Sequence, residues 1–197
     1  MSTAFTPARL RAVLTDLGRL LPAGEPAAAI VVVGGAALSL AGVVDRATVD
    51  VDVVAVGDGT TGRPPGQLAI PARLPDTIEA AAARLTRDLG LPHGWLNTAV
   101  TMGGTLVLPA GFEARIQWEA FGGLWVGLAG RADLIALKLH AAVDTDVRSR
   151  HYRDLLALAP TPDELAEAAA WVRGQDAGEG FATLVTEVIA HVRADLA

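Results

Sequence analysis

Two aspartates one residue apart, Asp50 and Asp52, lie in a valine-rich segment that predicts a strand over 49–56. Because side chains alternate along a strand, we expect both carboxylates on one face, where they can share a hard divalent cation. Upstream, a predicted strand ends at Gly34-Gly35 and a short helix follows. Backbone N–H groups at such a turn can approach a phosphate closely. Together, the acids and the turn indicate phosphoryl or nucleotidyl transfer.

Each of these signals has a simpler explanation. A solvent-facing strand can carry acids for solubility alone, although Val49, Val51 and Val53 favour a buried strand, where paired acids need a cation. Taken alone, Gly34-Gly35 is typical of a tight turn without a ligand. A dinucleotide-binding turn requires a third glycine, and this chain has Leu38 at that position. The sequence therefore excludes that motif and leaves the metal site and the edge strand as alternatives.

Lys138 is the only lysine of the chain, and it lies in a predicted helix that is apolar on nearly every face. An unpaired ammonium is costly to bury, so this side chain must reach water or find an anion. One alternative is a structural ion pair with an acid such as Asp154. The other is a contact with the β- and γ-phosphates of a nucleotide.

Composition limits the class of protein. With 51% hydrophobic residues, the 197-residue chain has enough apolar surface for a core. Its net charge of −6 argues against a protein that holds nucleic acid by its overall field. The absence of cysteine excludes disulfides, and the four histidines have no zinc-ligand spacing. No apolar run is long enough to span a membrane and the first 21 residues do not resemble a signal peptide, so we expect a soluble, cytoplasmic protein without a membrane partner.

Hydrophobic periodicity and turn residues predict an α/β fold, a mixed sheet flanked by helices and followed by a helical C-terminal region. We expect an α/β core over 1–130 and a helical region over 131–197 that packs on it. A glycine- and proline-rich exposed loop is predicted over 57–75. The predicted helices span 7–21, 36–41, 75–89, 132–143, 149–159, 162–172 and 180–196. The predicted strands span 30–33, 49–56, 106–108, 113–121 and 124–128.

The order of these motifs from about residue 31 to 158 resembles the nucleotidyltransferase superfamily with the polymerase-β-like fold. Within it, the chain resembles the AbiEii-like toxin group and its relatives. In that group a Gly-Gly or Gly-Ser turn leads to an Arg-x-Thr-x-Asp-x-Asp strand, which here begins at Arg46 and includes Thr48. A helix with a lysine and a later Arg-Asp pair follow, here Lys138 and Arg153-Asp154. The segment 94–97, Gly-Trp-Leu-Asn, also resembles one branch of these proteins.

The resemblance implies a role for each of these positions. Asp50 and Asp52 would hold Mg²⁺, and Lys138 with Asp154 would complete the catalytic site. The nucleotide-binding residues would be Gly34, Gly35, Arg46 and Thr48, together with Lys138. The reaction would move a nucleoside monophosphate from an NTP to an acceptor hydroxyl. In this group the acceptor can be the 3′ end of tRNA, and a cognate antitoxin protein restrains the enzyme.

The chain also departs from the superfamily pattern. Gly35 replaces the serine that often follows the first glycine, and Ala157 stands where a second acid often follows the Arg-Asp pair. The usual third carboxylate has no clear counterpart; Gln117 occupies one plausible place, with Glu113 and Glu119 as alternates. The sequence therefore leaves two hypotheses, an active nucleotidyltransferase and a catalytically impaired relative that acts as a nucleotide-binding or interaction module.

Overall fold

The computed structural model describes residues 4–22, 27–60, 63–102, 107–145 and 148–197. Within these ranges the chain forms seven α-helices and one five-stranded sheet. The helices are α1 (Pro7–Leu20), α2 (Gly34–Leu40), α3 (Asp76–Leu89), α4 (Arg131–Asp144), α5 (Arg150–Leu158), α6 (Pro162–Arg173) and α7 (Glu179–Asp195). The strands are β1 (Ala27–Val33), β2 (Val51–Gly59), β3 (Leu96–Asn97), β4 (Gln117–Phe121) and β5 (Leu124–Leu128). The predicted α/β fold with a mixed sheet and C-terminal helices is confirmed.

The chain divides into two compact units. The first comprises Met1–Leu106 and Glu113–Ala129 and contains the sheet with α1, α2 and α3. The second comprises Val107–Phe112 and Gly130–Ala197 and contains the four remaining helices. The packing of the helical region on the core stays a prediction.

The strand order of the sheet is β3-β2-β1-β5-β4. β1 lies at the centre, antiparallel to β2 and parallel to β5. Its residues from Ala29 to Val32 are fully buried, as expected for a short β-branched strand covered on both faces. At one edge β3 runs parallel to β2, and at the other β4 runs antiparallel to β5.

Three strand predictions need correction. The predicted strand over 49–56 begins only at Val51, because the chain bends at Val49, whose side chain is 50% exposed. Of the strand predicted over 106–108, residue 106 lies outside the described residues, and 107–108 are not in a strand. The strand predicted over 113–121 starts at Gln117, since a 3₁₀ helix occupies Phe112–Arg115 after a turn in which Gly111 has φ +74°.

The predicted loop over 57–75 is shorter than expected and lies partly against the sheet. Its first three residues continue β2 as far as Gly59. Farther on, Val56 and Ala69 exchange two backbone hydrogen bonds of 2.9 Å. A Cβ at Gly57 would lie 2.6 Å from the Gln67 carbonyl oxygen, so the glycine permits this close backbone approach.

The helical unit is organised around α4, which contacts α5, α6 and α7. Ile135 and Leu139 of α4 and Leu155 of α5 are fully buried. Thr161 and Glu164 form a capping box at the start of α6, satisfying two backbone N–H groups that a helix N-terminus leaves unpaired. No helix among the described residues is long and apolar enough to cross a bilayer.

Tyr152, the chain's single tyrosine, joins α5 to α7. Its hydroxyl donates a 2.7 Å hydrogen bond to Asp195, and its ring is buried. Burial, and then the hydrogen bond to the Asp195 carboxylate, raise the pKa of Tyr152 to about 12. The pKa of Tyr152 is therefore higher in the folded state than in the unfolded state, where it is near 10. The contribution of Tyr152 to folding stability is complete below about pH 10 and is lost as the pH rises toward 12.

We therefore expect the free energy of unfolding to fall, by at most about 3 kcal/mol, between about pH 10 and pH 12. Phenolate absorbance reports this residue alone and should titrate with a midpoint near pH 12. In Asp195→Asn, which keeps the burial and removes the charge, the midpoint should move toward 10. Tyr152→Phe should lack the pH-dependent loss, and a parent midpoint near 10 would contradict the prediction.

Candidate functional site

The glycine turn at the end of β1 lies directly beside Asp52. Val33, the last residue of β1, is the backbone partner of Asp52 on β2. The next residue, Gly34, has φ +71°, a conformation that favours glycine. A Cβ at Gly34 would lie 2.8 Å from Asp52 Oδ2. The turn backbone and the carboxylate are therefore neighbours in space.

The second glycine of the turn lies against the other part of the motif. A Cβ at Gly35 would be 3.0 Å from Thr48 Oγ1 and 3.7 Å from the Arg46 guanidinium. A side chain at this position would crowd the Thr48 hydroxyl, whereas its distance to Arg46 is an ordinary van der Waals contact. The close approach to Thr48 gives a physical reason for the glycine that departs from the superfamily pattern. Arg46 is exposed and Thr48 is buried, so the turn is flanked by a charged group on the surface and a hydroxyl beneath it.

Thr48 connects the motif to the rest of the unit. Its backbone exchanges hydrogen bonds of 2.6 and 3.0 Å with Phe5, a fully buried residue just before α1. The Thr48 hydroxyl donates to the Asp50 carbonyl oxygen at 3.1 Å and lies 3.5 Å from Asp50 Oδ1. Asp50 precedes β2 rather than lying on it, so Thr48, and not strand alternation, fixes its position.

The structure thus brings six of the predicted site residues together in the sheet-containing unit: Gly34, Gly35, Arg46, Thr48, Asp50 and Asp52. The other two, Lys138 on α4 and Asp154 on α5, meet in the helical unit. Lys138 Nζ lies 2.8 Å from Asp154 Oδ2, and the two side chains are only 6% and 1% exposed. The ion pair considered from the sequence is present, and a contact between Lys138 and phosphate stays a prediction.

Neither candidate for the third carboxylate on β4 lies near Asp52. Backbone partners across strands share a face, so Asp52 shares a face with Val33 and, two residues away on the same strand, with Val31. The pairings from Val31 through Gly127 on β5 lead to Trp118. The neighbours of Trp118 in the chain, Gln117 and Glu119, therefore belong to the opposite face, and β4 is three strands, roughly 14 Å, from β2. Glu119 also forms an ion pair with Arg11 on α1. Glu113 is an exposed residue of the 3₁₀ helix before β4.

The residue actually paired with Asp52 on the neighbouring strand is Asn97 of β3. Its amide is held locally: Nδ2 donates to the Gly94 carbonyl at 3.2 Å, and Oδ1 accepts from Ala99 N–H at 2.8 Å. The segment 94–97 resembled one branch of the superfamily, but nothing in the sequence alone placed Asn97 next to Asp52. A strand of two residues gives no periodic signal, so its pairing could not be predicted.

The two aspartates suit a Mg²⁺ ion that is bound partly by substrate phosphates better than an ion that is coordinated by protein groups alone. In the described part of the chain, no group of three or more Asp, Glu, His or Cys side chains could hold a metal. Mg²⁺ is commonly bound through one or two carboxylates together with substrate phosphates and water. Asp50 and Asp52 could supply those carboxylates, and the lack of a Cβ at Gly34 lets the turn backbone lie close to Asp52, whose Oδ2 is 2.8 Å from where that Cβ would be. Such a site would bind the ion and the nucleotide together.

Gly34→Ala tests the contact between the turn and the carboxylate, with Gly42→Ala as a matched control. The two glycines have φ +71° and +72°, but nothing lies within 4 Å of a Cβ at Gly42. Both variants should lose about 1–2 kcal/mol of stability from the left-handed backbone. Only Gly34→Ala should displace the Asp52 carboxylate, so nucleotide affinity measured by calorimetry in Mg²⁺ should fall at least about tenfold in that variant alone. Equal affinities in both variants would contradict the expectation.

A family model described as a nucleotidyltransferase of unknown function (DUF6036) matches residues 8–158, which include the turn, both aspartates, Asn97 and the Lys138–Asp154 pair. No curated protein and no solved structure matches the chain significantly.

Proposed function

The chain belongs to this family of nucleotidyltransferases, and we propose that it transfers a nucleoside monophosphate from an NTP to an acceptor hydroxyl in a Mg²⁺-dependent reaction. The observation that carries the proposal is the proximity of the turn and the acid, a Cβ at Gly34 lying 2.8 Å from Asp52 Oδ2. A nucleotide bound at the turn would therefore have its phosphates beside the Asp52 carboxylate.

Each residue of the turn and the motif has a part in this proposal. The backbone of Gly34 and Gly35 receives the triphosphate, and the exposed Arg46 guanidinium offsets its charge. Asp50 and Asp52 hold the metal, with Thr48 fixing Asp50. Bound Mg²⁺ would neutralise the negative charge that develops on the phosphates.

The reaction is an in-line displacement at the α-phosphate. The acceptor oxygen forms a bond to the α-phosphorus, the bond to the β-phosphate oxygen breaks, and pyrophosphate leaves. Asn97 is neutral and cannot take the acceptor proton as a carboxylate would, so the proton passes to water. We expect a slow enzyme for that reason, because general-base catalysis typically contributes a factor of about 10²–10⁴.

The acceptor and the biological role are the finer parts of the proposal. The ordered motif from Arg46 to Asp52, with Lys138 and Asp154 later in the chain, supports an AbiEii-like nucleotidyltransferase. Its acceptor would be RNA, the 3′ end of tRNA in particular. A toxin of this group would be paired with an antitoxin protein.

Incubation with each α-phosphate-labelled NTP, Mg²⁺ and total tRNA tests the proposal directly. We expect label in the RNA with at least one NTP, pyrophosphate release in equal amount, and loss of both when EDTA removes the metal. Transfer that persists in EDTA would refute the metal dependence.

Asn97 in place of an acid favours one second candidate, a catalytically impaired nucleotide-binding or interaction module. This candidate predicts that NTP and Mg²⁺ bind together in calorimetry while no acceptor is labelled. Its distinguishing result is therefore binding without pyrophosphate release.

A further inference from the structure

A groove of about 530 Å³ lies within the sheet-containing unit, between α3 and the chain segment that contains β3. We call it the α3 groove; its lining includes Ala83 and Arg87 of α3, and His93, Asn97 and Met102 opposite. Its size is in the range of small-molecule sites. Met102 is 73% exposed and Ala83 is also exposed, so the groove offers an apolar surface to a ligand.

The α3 groove carries cationic and hydrogen-bonding groups that the fold does not use. Arg73 at its rim is paired with Asp76 and Glu79. Arg87 and His93, in contrast, are exposed, and neither has a hydrogen-bond or ion-pair partner among the described residues. In a chain of net charge −6, such a pair of donors favours an anionic ligand at this place.

One lining residue of the groove is a neighbour of the candidate site. Asn97 lines it and is the backbone partner of Asp52 across two parallel strands, which lie about 5 Å apart. The two local hydrogen bonds of the Asn97 amide use one of its N–H groups and one of its oxygen lone pairs. One N–H and one lone pair therefore remain for a ligand.

We propose that the α3 groove binds the terminal nucleotide of the acceptor strand. Its base lies against Ala83 and Met102, a phosphate contacts Arg87 and His93, and the terminal hydroxyl meets the Asn97 amide, one strand from Asp52. The NTP phosphates are already assigned to the glycine turn on the other side of Asp52, so the groove supplies the acceptor side of the same reaction. This inference rests on the proposed function.

Fluorescence anisotropy with a labelled short single-stranded RNA of mixed sequence tests the groove in the absence of NTP. The test variant is Arg87→Ala combined with His93→Ala. Arg84→Ala is the matched control, because Arg84 lies on the same helix, is exposed, pairs with Asp88 and does not line the groove. We expect the double variant to bind about tenfold more weakly or worse, and its salt slope to fall by roughly 0.7 for each phosphate that the protein no longer neutralises. Affinity and salt slope equal to those of Arg84→Ala would overturn the proposal.

Transfer kinetics separate this inference from the proposed function. We expect the double variant to raise KM for the RNA acceptor and leave KM for NTP unchanged. If label transfer occurs and the acceptor KM is unchanged, the groove is not the acceptor site and the proposed function stands. If the parent transfers no label but binds the RNA through Arg87 and His93, the proposed function fails and the groove stands as a nucleic-acid site.

Discussion

Replacing Asp52 with asparagine is expected to lower the rate of nucleotidyl transfer by about a thousandfold while the protein stays folded. Asparagine has the same shape but no negative charge, so the site loses half of the charge that would hold the metal against the NTP phosphates. Charge neutralisation by a metal contributes several kcal/mol to such a transition state, and each 1.36 kcal/mol is a factor of ten in rate. The single-turnover rate of label transfer at saturating NTP measures the loss.

Asp58→Asn is the matched control for this experiment. Asp58 lies on the same strand, is exposed, and is paired with Ala28, away from the glycine turn. It should leave both transfer and stability unchanged. Thermal unfolding of both variants shows whether a lower transfer rate comes from the changed site or from unfolding of the protein. Transfer by Asp52→Asn within a factor of ten of the parent rate would remove Asp52 from the proposed site.

The helices were predictable because their signals are local. α3 was predicted over 75–89 and spans Asp76–Leu89; its end is fixed by Gly90, which has φ +62°. α6 was predicted over 162–172 and spans Pro162–Arg173, after a threonine cap and a proline in its first turn. Every predicted helix begins and ends within two residues of the observed one, since periodicity and caps depend only on near neighbours.

The errors in the strands come from long-range pairing. Thr48 pairs with Phe5, more than forty residues earlier, so the chain bends at Val49 before joining the sheet at Val51. The valine pattern contains no sign of that partner. β3 forms by pairing with β2, and the Val51 N–H donates to the Trp95 carbonyl oxygen at 2.6 Å. The two segments lie on either side of α3 in the sequence, so the contact is long-range.

The candidate site likewise has one part that the sequence predicts and one part that depends on long-range pairing. The glycine turn and Asp52 were predicted together from their spacing, and the structure brings them together through the β1–β2 pairing. The residue beside Asp52 was not predictable, because it depends on strand order and register. That order puts Asn97 next to Asp52 and leaves Glu119 across the sheet with Arg11. The pairing that puts Asn97, and not an acid, beside Asp52 is therefore set by strand order and register.

Lys138→Met is expected to destabilise the protein by about 3–5 kcal/mol, a large part of the roughly 5–15 kcal/mol that stabilises an ordinary domain. The substitution keeps the aliphatic stem but leaves the Asp154 carboxylate, 1% exposed, without its ammonium partner. Combining it with Asp154→Leu removes both charges. Much of the lost free energy of unfolding should then be recovered, because replacing a buried ion pair by apolar side chains often leaves stability unchanged. Urea unfolding of both single variants and the double variant measures this coupling.

The double variant also decides between the two roles of Lys138. An ammonium has three donors, and the contact with Asp154 accounts for one of them, so a phosphate can still be bound by the same group. If Lys138 contacts the triphosphate, the folded double variant should bind NTP at least about tenfold more weakly in calorimetry. Arg150→Ala, which removes an exposed charge at the start of α5, should change stability by no more than about 0.5 kcal/mol and leave NTP affinity unaltered. Parent-like NTP affinity in the double variant would make the ion pair purely structural, because the nucleotide would then bind without either charge.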